Sequence, residues 1–232
     1  MIKFIFKWLF RLCLLAVVLA VFFFLSLDTM LRVMIQHNIR KQTGMEAEIG
    51  KFHLGLFEPV VHIENLKLYN PPNFGGTPFL SIPEIHVEYD RLAFAKKEIH
   101  VTLLRFNLGE LDIVKNEAGQ TNLFSLGLAL PTKESLAQSK DVAEFKKQTG
   151  FNFKGVDVLN VSVGTAKFID LKDPQNSREQ KIGIDNCVMK NVKTGADLAG
   201  LAALVALRSD DFFKSLLGPP KPDAGVLKLL GY

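Results

Sequence analysis

The chain has 232 residues, a formal net charge of +4, a pI of about 9.0 and 48% apolar residues. That suits one domain of ordinary size, or one domain plus an anchor. The small basic excess does not mark a nucleic-acid binder. Part of it sits at the extreme N-terminus, Lys and Glu otherwise intermix, and no arginine-rich stripe or recognition motif is present. The two cysteines, Cys13 in the apolar N-terminal run and Cys187 far along the chain, cannot pair within one molecule, so no internal disulfide is expected.

Phe4 to Leu27 is apolar apart from Lys7, Arg11 and Ser26. Crossing the hydrocarbon core takes about 20 residues. Trp8 to Leu27, through Leu12, Leu14 and Phe22, supplies that length if Arg11 snorkels to the headgroups. Lys3, Lys7 and Arg11 precede the span and Asp28 follows it, so the positive-inside rule keeps the N-terminus cytoplasmic and exports the rest. The run ends without an A-x-A-like cleavage site, which predicts an uncleaved anchor over 1–27.

Residues 28–44 read as a juxtamembrane helix. Asp28 or Thr29 can cap it, Gly44 can end it, and Leu31, Met34, Ile35 and Ile39 form its apolar stripe. Its expected role is to cap the core, the alternative being that its basic face touches lipid headgroups.

From 45 to 193 the pattern changes to period two, the mark of strands with one covered face. Ile85, Val87 and Tyr89 alternate with charged residues, and Ile99, Val101 and Leu103 do the same. Most strands also change phase once. Met45, Ala47 and Ile49 give way to Phe52, Leu54 and Leu56, and Val61 and Ile63 give way to Leu66 and Leu68. A bulge in each strand would absorb the extra residue and bend the sheet, whereas a short turn at each break would divide it into two short strands. This predicts a mainly β domain: a curved antiparallel sheet with flanking helices. Leu108 to Val114 continues or restarts the fourth strand after Gly109. A helical insertion is expected at about 132–149. Strands resume from Phe151, and Lys181 to Val192 is the last. Thr194 or Asp197 then caps an apolar helix over 194–217, followed by a Pro-rich tail over 218–232.

No enzyme signature is present: no G-x-S-x-G, no Walker A loop and no G-x-G-x-x-G. None of the five histidines forms H-E-x-x-H or another helical ligand spacing. His62, His86 and His100 stand opposite apolar strand faces and read as exposed polar-face residues. Neither catalytic residues, a metal nor a cofactor is expected.

Three stretches carry a resemblance. They are Val61-His62-Ile63-Glu64-Asn65-Leu66-Lys67-Leu68-Tyr69-Asn70-Pro71, then Glu84-Ile85-His86-Val87-Glu88-Tyr89-Asp90-Arg91-Leu92, and Gly119-Gln120-Thr121-Asn122-Leu123. With the N-terminal span and a helix ending in Thr43-Gly44, they make residues 1–125 resemble short members of the AsmA-like family of Gram-negative envelope proteins, the TamB/AsmA type. The resemblance implies an inner-membrane anchor carrying a U-shaped periplasmic β groove that binds phospholipid in outer-membrane biogenesis. Leu54, Leu56, Val61, Ile63, Ile85, Val87, Tyr89, Ile99, Val101 and Leu103 are then the expected groove lining. Membrane lipids are the expected partners, with envelope proteins or a second copy of the chain beside them. The alternative is a non-catalytic structural subunit of an envelope complex, its sheet core closed by residues 198–217.

Overall fold

The computed structural model describes residue 15 and residues 26–55, 58–125, 146–147 and 149–208. Helix α1 occupies 26–43, and Gly44 ends it at φ 71°, its N–H bonding to the Arg40 carbonyl at 2.9 Å. Among the described residues no helix is long and apolar enough to cross a membrane. The predicted span, with Trp8, Leu12, Leu14 and Phe22, lies outside the described residues except for Leu15 and residues 26–27.

Six strands follow: β1 (Glu46–Leu54), β2 (Val60–Tyr69), β3 (Pro78–Tyr89), β4 (Glu98–Lys115), β5 (Asn152–Asp170) and β6 (Arg178–Val192). They form one open sheet in sequence order. The short helix α2 (Arg91–Ala95) joins β3 to β4. Asp90 caps it by accepting the Leu92 and Ala93 amides. A one-turn helix α3 (Asn122–Ser125) follows β4. Helix α4 (Ala199–Arg208) follows β6 through a 3₁₀ turn at Gly195–Leu198. The expected continuation of α4 to 217, most of the 132–149 insertion and the 218–232 tail lie outside the described residues.

The expectation of an antiparallel sheet needs correction. Four of the five pairings are antiparallel, but β4 and β5 run parallel from Glu98↔Asn152 to Lys115↔Asp170. Parallel neighbours need a crossover of a dozen residues or more. The chain between Lys115 and Asn152 supplies one, because it leaves from one end of β4 and re-enters beside the other.

The phase changes line up. Cross-strand partners present their side chains on the same face, so the register reads as rows. On one half of the sheet Ala47, Leu68, Leu80, Leu111 and Ala166 are successive partners. On the other half one row is Phe52, Ile63, Ile85, Phe106, Val161 and Cys187, and the next is Leu54, Val61, Val87, Leu104, Leu159 and Met189. Between the halves every strand switches parity. The switch falls at Gly50, Asn65 (φ 54°), Pro83, Gly109 and Gly164, and on β6 between Gly183 (φ 59°) and Asn186 (φ 50°).

On β1 and β2 the pairing is the same on both sides of the switch, so neither strand gains a residue on the other. The bulges expected on these two strands are therefore replaced there by a crease that the other strands share. The register slips there only between β5 and β6. Backbones crowd along this line: a Cβ built on Gly164 would lie 2.4 Å from the Gly109 carbonyl oxygen. Val163 and Leu201 pack against both core clusters, so the apolar residues of the two halves share one side of the sheet.

The two edges are β1 and β6. Helix α1 lies along the β1 edge, where Arg32 donates to the Gly50 carbonyl at 3.1 Å and Asp28 accepts the Leu54 amide at 3.1 Å. The guanidinium of Arg208, at the end of α4, donates to the Ile182 and Gly183 carbonyls of β6. Both contacts occupy edge groups that would otherwise template another strand.

Candidate functional site

The apolar side of the sheet is the first candidate. Its cover is uneven. Toward β5 and β6 the core is closed: Val156, Leu159, Val161, Ala166, Phe168, Ile182 and Ile184 are buried. Leu198, Leu201, Leu204 and Val205, from α4 and the turn before it, pack on these clusters. The two apolar rows are buried at Leu159 and Val161 on β5 and half-buried elsewhere, at Phe52, Leu54, Val61, Ile63, Ile85, Val87, Leu104, Phe106, Cys187 and Met189, while Ile49, Phe79 and Ile82 in the other half of β1 and β3 are buried.

The expected lining residues fall as follows. Val61 and Val87 are partners in one row, Ile63 and Ile85 in the other, and Leu54 pairs with Val61. Ile99 and Val87 pack against the cluster that contains Val101. Tyr89 pairs with Val101 and lies 5.7 Å, centroid to centroid, from Phe94. Leu103 pairs with Glu88, outside both clusters, because the β3–β4 register slips between Glu88 and Tyr89. Leu56 lies outside the described residues. Phe52, Leu104 and Phe106 complete the rows and were not among the expected lining residues. Their parity after the phase change carried the signal, but only the register shows which neighbours they meet.

Two stretches of the resemblance meet in space. Asn122, fully buried, donates to the Asn70 side-chain oxygen at 2.8 Å and to the Asp112 carbonyl at 2.9 Å, and it accepts the Val114 amide at 3.1 Å. Asn70 in turn donates to the Pro78 carbonyl at 3.3 Å. Each bond satisfies a polar group that would otherwise be stranded at one end of the sheet. The network ties together the β2–β3 loop, β4 and α3, and its role is structural.

The opposite side of the sheet is polar. His53, His62, His86, Arg105 and Asn160 form one row, and Lys51, Glu64, Glu84, Asn107 and Ser162 form the next. His100 stands apart, bonded to Asp157 at 2.9 Å. That bond leads the influences raising its pKa, with Asp90 adding to it and burial opposing.

Fold and faces together define a class: an open, mixed six-stranded sheet with one apolar face, partly roofed by a C-terminal helix. Comparison with family models, with curated proteins and with solved structures finds no match to this chain.

Proposed function

We propose that the half-buried apolar wall of β1 to β4 binds lipid acyl chains. In this reading the chain is an inner-membrane-anchored periplasmic protein whose sheet is the U-shaped groove of an AsmA-like envelope protein. The supporting observation is the pair of unbroken apolar rows across the sheet, half-buried from β1 to β4 and covered at β5, where Leu198 and Leu201 pack on the cluster of Leu159 and Val161. Such a wall holds acyl chains by removing area from water, at about 25 cal/mol per Å² or ~0.8 kcal/mol per methylene. It needs no directional chemistry, in keeping with a sequence that offers no catalytic motif.

The decisive experiment is lipid analysis of the full chain extracted in mild detergent, alongside Ile63→Asp and Val61→Asn. Wild type is expected to retain phospholipid at about one per chain. Ile63→Asp places a charge in the wall and is expected to lose most of it. Val61→Asn, a milder change, is expected to retain a native melting transition with reduced lipid. Wild type without stoichiometric lipid rejects the reading.

A second reading has its own support. Leu198, Leu201, Leu204 and Val205 seat α4 on the clusters as an ordinary core layer would. The chain is then a structural subunit that joins an envelope complex through its surface and carries no lipid. The same measurement separates the two.

A further inference from the structure

The polar side of the sheet holds a group of side chains that the lipid reading does not use. We propose that His62, His86 and Glu84 bind one divalent transition-metal ion of the zinc class on the outer face of β2 and β3.

The argument begins with tautomers. His62 Nε2 lies 3.2 Å from Glu64 Oε1, and His86 Nε2 lies 3.1 Å from Glu88 Oε1. An ionised carboxylate only accepts hydrogen bonds, so both Nε2 atoms carry the hydrogen. A neutral imidazole has just one N–H, which leaves a lone pair on each Nδ1. Those two Nδ1 atoms face one another at 3.2 Å. Neither can donate to the other, and the lone pairs repel. A cation between them converts the repulsion into two bonds.

The spacing fits a metal. With Zn–N near 2.0–2.1 Å and a tetrahedral angle, two nitrogens on one ion lie about 3.3 Å apart. Glu84 adds a third donor, and the ligand atoms of His62, Glu84 and His86 all lie within 4.8 Å of one another. Sheet register produces this convergence: His62 pairs with His86 and Glu64 with Glu84, so the four side chains occupy adjacent positions on one face.

The surroundings match what metal-binding histidines require. Glu64 and Glu88 hold the remote ring nitrogens, which fixes the tautomer and the orientation of each ring. Arg105 donates to Glu84 Oε1 at 3.0 Å, orienting that carboxylate and leaving its other oxygen for the ion. Three glutamates, Glu64, Glu84 and Glu88, outnumber the two nearby cations, Lys51 and Arg105. The ligand side chains are partly shielded, at 26% exposure for His62, 19% for His86 and 30% for Glu84. Access exists: an open pocket of ≈ 350 Å³ between α1 and β1 is lined in part by His62 and Glu64. His53 continues the row, but its Nδ1 is bonded to Asp28 at 3.0 Å and stays outside the set. Two imidazoles and a carboxylate suit zinc and its neighbours rather than magnesium or calcium, and they leave a fourth position for water or an exogenous ligand.

The test uses the full chain in detergent, stripped of metal and titrated with Zn²⁺ by calorimetry and with Co²⁺ by visible absorption. One equivalent is expected to bind, with Co²⁺ giving the d–d bands of a four-coordinate, nitrogen-ligated ion. His62→Asn and His86→Asn are each expected to weaken Zn²⁺ at least about 100-fold, and Glu88→Gln about 10-fold or more through the ring it holds. His100→Asn, at the separate Asp157 pair, is expected to bind as wild type. Zn²⁺ should raise the melting temperature of wild type and not of His86→Asn. Wild type that binds no stoichiometric Zn²⁺, or binding that survives His62→Asn and His86→Asn, overturns the proposal. Neither result bears on lipid retention.

Discussion

Asp112 shows how one residue carries a pH dependence. It is 5% exposed, and its Oδ1 has no hydrogen-bond partner in the structure. Burial first, and then the charge of Glu110, push its carboxyl up to about 6, against the pull of Lys167. Lys167, its partner on β5, is already committed to Glu110 at 2.6 Å. The unfolded chain holds this carboxyl near 4. Between about pH 4 and 6 the native state therefore binds a proton that the unfolded state does not, and stability falls as pH rises through that window. Asp112→Asn mimics the protonated form. It is expected to gain on the order of 2 kcal/mol at pH 7, about 4–8 °C in melting temperature, and nothing below pH 4. Melting curves from pH 3.5 to 8 decide it: an equal gain at both ends would mean that ionisation is not the cause. Sequence alone placed Asp112 in a strand two residues from Glu110 but without any hint of Lys167, which sits on β5 and is reached only through the parallel pairing. The histidines were legible in the same limited way. His62-x-Glu64 and Glu84-x-His86-x-Glu88 were visible as alternating polar positions. Their convergence depends on the hairpin register, which a single strand does not encode.

At the scale of the element, the crease is where local pattern and neighbours act together. β1 and β2 announced their phase changes in sequence, and a bulge in each was the natural reading. What sequence could not reveal is that the breaks share one row, so that glycine, asparagine and proline on one strand meet their counterparts on the next. Gly164 is the tightest point, lying against the Gly109 carbonyl. A methyl there must push two backbones apart. Gly164→Ala is expected to destabilise by roughly 1–3 kcal/mol, read as a lower urea midpoint with an unchanged slope. Gly119→Ala is the comparison: it meets nothing within 4 Å but has φ 81°, so its cost is backbone strain alone. If Gly164→Ala melts with wild type, the crowding along the crease is relieved by small shifts and does not hold the fold.

For the whole molecule, periodicity foretold a one-sided β domain, and it was blind to which strands run parallel. Alternation is the same in either direction, so the β4–β5 pairing had no signature of its own. That pairing sets the order in which the protein can assemble. Hairpin partners lie close along the chain, as with Leu54↔Val61 or Tyr69↔Pro78, whereas Glu98 meets Asn152. Closing the longer span costs roughly 1.5 kcal/mol more in chain entropy than closing a hairpin, before any contact compensates. The expected sequence is a four-stranded meander from β1 to β4 and a separate β5–β6 hairpin, which zip together last and late. Pulsed hydrogen exchange during refolding should protect β2 and β3 amides ahead of β5 amides that bond to β4. Simultaneous protection would mean that the halves nucleate as one. A protein that closes its middle last keeps its oily interior in two pieces during synthesis, so the risk of mispairing is greatest while the second piece is still being made.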